Sequence, residues 1–172
     1  AVMDLSEKNS KYRGMLYEYG LVEGHSVDEA KEVYKEINDS YIANKRLFLY
    51  CFLYCEDELI NYYDNVIGDS LVEALYSLYL IEEKGDCLEY TERSVCVEVK
   101  KYIRQSQWED VYYGMGYESY KLMFEERRDN KDFQYPYYLL MKSYMGGNKF
   151  AKKFLDLVPN RYSWIPTEIK ED

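Results

Sequence analysis

The chain has one histidine, three prolines and nine glycines in 172 residues, and each scarcity removes a class of protein. A single imidazole, His25 in a Gly-His-Ser link, excludes di-iron bundles built on paired Glu-x-x-His motifs and leaves no base for a serine or cysteine nucleophile. The four cysteines lack Cys-x-x-Cys spacing, so no zinc site is expected. Gly114-Met-Gly116 has neither a preceding strand nor a following Gly-Lys, and Gly146-Gly147 lies between helical patterns; both read as helix punctuation rather than phosphate loops. Calcium loops of alternating Asp with a glycine are missing too. No cofactor, metal or catalytic residue is therefore expected, and the chain does not read as an enzyme.

Long apolar runs are also lacking. The longest, Leu47 to Cys55, is far short of the ~18 residues of a membrane span and reads as a buried helix. The start, AVMDLSEKNS, carries no basic region followed by an apolar one, which points to a cytoplasmic protein. Blocks of basic residues are absent: 22 Lys and Arg face 32 Asp and Glu, a formal charge of -10. That disfavours direct contact with nucleic acid or anionic membrane, and suits docking on a protein with a basic surface.

Abundant instead are tyrosines, 22 of them, whose rings bury area with few rotors while the hydroxyl keeps a polar tip. Apolar residues recur at steps of three and four, with no alternating runs of β-branched residues, so the fold class is all-α. About nine helices are expected in a single domain over 1–172, as stacked antiparallel pairs or an irregular bundle.

The first helix spans Lys11 to Glu23 before Gly24. The second is capped by Ser26 with Glu29 three positions on, and ends near Asn38. A third runs through the Leu47–Cys55 stretch at the centre of the fold, and a fourth starts at Glu56, Asp57 and Glu58 and closes at Gly68. Asp69 or Ser70 caps a fifth that stops at Gly85. A sixth covers Leu88 to Gln105, where the alternation of Val95, Val97 and Val99 admits a strand but continuity favours helix. Trp108 to Arg128, Pro136 to Met145 and Lys149 to Val158 complete the set, with 159–172 as a tail folding over the last helices. Cys51 and Cys55, one turn apart in an apolar run, read as small hydrophobes.

Leu16-Tyr17 with Gly20, then Glu29-Ala30 and Val33-Tyr34-Lys35, resembles the Sel-one-like repeat, a relative of the tetratricopeptide repeat. Leu140, Tyr144, Gly146-Gly147, Ala151 and Phe154-Leu155 look like a shortened second copy, and Ala74, Leu78, Tyr79 and Gly85 like the start of a middle one. The resemblance implies helix pairs and an adaptor-like role. In type and composition the chain is also similar to bacterial immunity proteins, which implies a basic toxin as partner.

Candidate partner-binding residues are polar-tipped aromatics beside acids at helix ends. One cluster is Glu56, Asp57, Glu58, Tyr62, Tyr63 and Asp64; the other is Trp108, Glu109, Asp110, Tyr112 and Tyr113. The alternatives are a nucleic-acid mimic, which needs carboxylates in regular rows, a general adaptor scaffold, and an enzyme with a carboxylate and tyrosine pocket, which needs a deep cleft with convergent acids.

Overall fold

A computed structural model of the chain describes residues 13–14, 16–17, 23–24, 27–36, 41–105, 108–125 and 134–157. Eight α-helices and one 3₁₀ turn make up the regular structure of these residues, with no strand among them. They are α1 (Val27–Glu36), α2 (Tyr41–Tyr54), the 3₁₀ turn Glu56–Glu58, α3 (Leu59–Tyr63), α4 (Ser70–Lys84), α5 (Arg93–Gln105), α6 (Val111–Glu125), α7 (Gln134–Met145) and α8 (Ala151–Leu157). Residues 13–14 and 16–17 are helical, whereas the rest of the expected first helix, the Ser26 cap and the 159–172 tail lie outside the described residues.

Helix α2 is the centre. From Ala43 to Leu53 all its residues except Lys45 are buried, so no side of it is left for water. It packs against α1, α3, α4 and α7, while α4 pairs with α5, α6 with α7, and α8 covers α6 and α7. The α2–α7 contact joins elements far apart in sequence, which closes the stack into a bundle rather than a linear array of neighbours. Buried Arg46 on α2 donates from Nη2 to the Tyr138 hydroxyl on α7 at 2.9 Å, and its Nε lies 3.5 Å from the Tyr34 hydroxyl on α1.

Local chemistry sets the boundaries. The Asp69 carboxylate accepts Leu71 N–H and Val72 N–H at the start of α4, and Gly85 ends that helix at φ +81°, a left-handed conformation that glycine adopts without strain. The expected fourth helix is broken in two. The 3₁₀ turn precedes α3, and after Tyr63 the backbone tightens into i→i+3 bonds, Asn65 N–H to Tyr62 O and Val66 N–H to Tyr63 O.

The expected sixth helix begins five residues late, at Arg93. Cys87 O accepts Tyr90 N–H and Thr91 N–H, which folds 87–91 into a turn, and the Glu92 carboxylate takes Ser94 N–H and Val95 N–H as the actual cap. Residues 94–99 are helical, with Cys96 and Val99 buried at a three-residue step. The cysteines are not free. Cys87 is bonded to Cys96, and Cys51 to Cys55 across a single turn.

Close approach explains two glycines. A Cβ on Gly116 would lie 2.9 Å from Leu140 Cγ, so α6 and α7 meet backbone to side chain there. At Gly114 the space is filled by the Trp108 ring, 2.3 Å from where a Cβ would stand.

Glu73, 1% exposed, ties three elements together through neutral donors among the described residues. Its carboxylate accepts the Tyr63 hydroxyl at 2.7 and 2.8 Å, Gly68 N–H at 3.1 Å and Glu92 N–H at 3.0 Å. Glu73→Ala strands all three donors in the interior and is expected to cost about 3 kcal/mol or more in urea unfolding. Glu73→Gln, which keeps one acceptor oxygen, should lose roughly half of that. Equal stability of Glu73→Ala and the parent would show that the donors find other partners.

Candidate acidic cleft

A cleft of about 690 Å³ opens where α2, α4, α5, α6 and α7 converge. Its apolar walls come from Leu53, Leu78, Ile81, Ile103, Val111 and Met145, one or two from each helix. Four carboxylates, Glu56, Glu82, Glu109 and Asp110, line it against one ammonium, Lys142. Glu56 belongs to the first predicted cluster, and Glu109, Asp110 and Tyr112 to the second, so the fold brings parts of both into one place.

Each polar group is held by the element that carries it. Asp110 stands at the start of α6, where its Oδ1 accepts Tyr113 N–H at 3.0 Å and its Oδ2 accepts the Ser143 hydroxyl at 2.6 Å and the Asn148 amide at 3.2 Å. It thereby caps α6 and anchors the end of α7. Tyr112 donates to Glu82 Oε2 at 2.7 Å across α6 and α4. Burial and the Glu82 carboxylate hold the Tyr112 phenol far above the usual range for tyrosine.

Lys142, on α7, donates to Phe52 O at 2.6 Å and to Glu56, with its ammonium 4.9 Å from the centre of the Phe52 ring. Burial pushes the amine down to about 8 despite the neighbouring carboxylate. The wall thus already accommodates one cation between a carboxylate, a carbonyl and an aromatic face.

The remaining predicted residues are dispersed. Asp57 and Asp64 are exposed, and Glu58 pairs with Lys31 at 2.7 Å. Tyr62 packs against the core, and Tyr63 is buried with its hydroxyl on Glu73, so it presents no binding surface. Trp108 is 40% exposed and packs edge-on against Tyr113 and Tyr117, with Tyr113 stacked on Tyr117 and both rings against Phe154. Tyr144, placed in a packing slot by its repeat-like position, is exposed.

Glu82 and Lys142 were not among the sequence candidates. Glu82-Glu83 has the pattern of a solvated helix end, and a lysine within Leu-Leu-Met-Lys-Ser carries no local sign that it points inward. Comparison with protein-family models, with curated proteins and with solved structures finds no match to this chain.

The Lys142 environment has a definite pH signature. Folded protein releases this proton near pH 8, whereas the unfolded chain keeps it to about 10.5, so between those values the unfolded state binds more protons and stability rises with pH. Tyr112 acts in the opposite sense above about pH 10, where the unfolded phenol ionises and the folded one does not. The urea midpoint of the parent relative to Lys142→Met is expected to rise from pH 7.5 to 9.5. A flat difference would place the ammonium in water.

Proposed function

We propose that the chain is a protein-binding module whose acidic cleft docks on a basic surface of another protein, and that by covering that surface it acts as an inhibitor in the manner of an immunity protein against a basic toxin. The observation that carries the reading is the convergence of four acids from distant parts of the sequence, Glu56, Glu82, Glu109 and Asp110, on one cleft with apolar walls. Such a lining suits lysine or arginine side chains, whose stems bury on apolar surface while the charged head meets carboxylates. The overall charge of -10 adds long-range steering toward a basic partner and away from acidic ones.

Tyr112, beside the acids at the start of α6, is the aromatic residue that lines this cleft. The type of contact is that of an interaction scaffold, and the wider adaptor role implied by the repeat resemblance rests on the same surface.

A second reading has one observation in its favour: a cleft with convergent acids is also what an enzyme of the carboxylate and tyrosine type needs. Against it, Asp110 has both oxygens bonded to structural donors, Glu56 faces Lys142 and Glu82 holds Tyr112, so three of the four acids serve packing.

The test is association kinetics with a basic protein isolated with the chain from its host. Glu82→Gln with Glu109→Gln should slow the on-rate about tenfold at low salt and flatten its salt dependence, while Asp57→Asn with Asp64→Asn, away from the cleft lining, should change it far less. An on-rate unchanged by the first pair and reduced by the second would move the binding face out of the cleft. Saturable binding of a small cationic metabolite with no protein partner would favour the enzyme reading.

A further inference from the structure

Cys87 and Cys96 bracket the loop between α4 and α5, both fully buried, with Cα atoms 5.8 Å apart. The loop between them has a second set of fasteners that do not involve sulfur. Ser77 on α4 donates to the Thr91 hydroxyl at 3.0 Å and Glu92 N–H reaches Glu73 on α4 at 3.0 Å, while Lys100 pairs with Asp86 just outside the cysteines at 3.0 Å. These bonds seat the loop on α4, and the disulfide adds its tie to α5.

What the bond does control is the first turn of α5. Cys96 lies in that turn's continuation, and Glu92, Arg93, Ser94 and Val95 form one end of a second groove of about 880 Å³ between α5 and α6, with Val99 and Leu122 among its apolar walls. A covalent tie from Cys96 to Cys87 fixes this end of the groove to the α4 side of the fold.

We propose that Cys87 and Cys96 form a redox latch, closed by exchange with a disulfide oxidant such as oxidised glutathione, and that the closed latch holds this groove in one shape. The chemistry balances without further reagents. Each cysteine thiol loses a proton; one thiolate attacks a sulfur of the oxidant and expels its partner as a thiolate. The second cysteine thiolate then attacks the resulting mixed disulfide at the protein sulfur, so two electrons pass from the cysteines to the oxidant's S–S bond and two small thiols leave. Disulfides persist where no glutathione or thioredoxin pool reduces them, and burial of both sulfurs keeps the closed latch from casual exchange. The proposal is independent of the acidic cleft, which no residue of this loop lines.

The full chain, equilibrated with oxidised glutathione, alkylated and digested without reductant, should yield a Cys87–Cys96 cross-linked peptide by mass spectrometry. Hydrogen exchange of amides 88–95 should then accelerate at least tenfold on reduction, with the far-ultraviolet helical signal unchanged, because only the latch opens. Cys87→Ser with Cys96→Ser should show the fast exchange under both conditions; if that variant fails to fold, the comparison of oxidised and reduced parent decides alone. Alkylation of both residues as free thiols after oxidant treatment would overturn the proposal, as would identical exchange in the two redox states.

Discussion

Between Ala43 and Leu53 helix α2 leaves only Lys45 out of the core, and the rest of the fold is the set of elements needed to cover that stretch. Phe48, Leu49, Tyr50 and Cys51, all buried, point in all directions from one axis, so partners must approach from several sides rather than from one. The chain supplies them from both ends of its sequence, with α1, α3 and α4 arriving early and α7 late. The cleft is a by-product of this arrangement: it lies where α7 reaches α2 beside α4, α5 and α6, and its polar lining consists of the residues that finish those helices.

The tyrosines and the acids, which seem separate excesses in the composition, are used together. Tyr41 donates to Asp69, Tyr50 to Asp28, Tyr63 to Glu73 and Tyr112 to Glu82, each joining residues of different helices or of a helix and a loop. A phenol is a neutral donor with a large apolar body, so it can satisfy a carboxylate in a partly dry junction without bringing a second charge out of water. Burial, reinforced by the Asp69 carboxylate, pushes Tyr41 up to about 12 and keeps it in the donating form. A chain with ten more acids than bases can pack closely in this way, with lysines paired at places such as Glu56, Glu58 and Asp86.

Much of the architecture is legible from local signals because the signals are local in cause. Asp69 and Gly85 bound α4 by hydrogen bonds and backbone angles that neighbouring residues determine, and the Leu47–Cys55 run marks the buried helix by hydrophobicity alone. What escapes a sequence reading depends on distance along the chain. Lys142 meets Glu56 across 86 positions, and nothing near either residue announces the other. The delayed start of α5 follows from the Cys87 turn and from a glutamate used as a cap, a role more often filled by shorter side chains. The cluster of Glu56 to Asp64 was legible as acidic and aromatic but not as divided, because its split into surface, core and cleft is decided by the break after the 3₁₀ turn.

Arg46 carries a consequence of a different kind. Its guanidinium lies between the Tyr34 hydroxyl of α1 and the Tyr138 hydroxyl of α7, so an early and a late helix meet at one buried group on the central one. In a linear repeat array the terminal units fray independently and melting spreads from the ends. Here neither α1 nor α7 can leave without exposing a charge that the other still encloses, so the opening of these two helices is coupled.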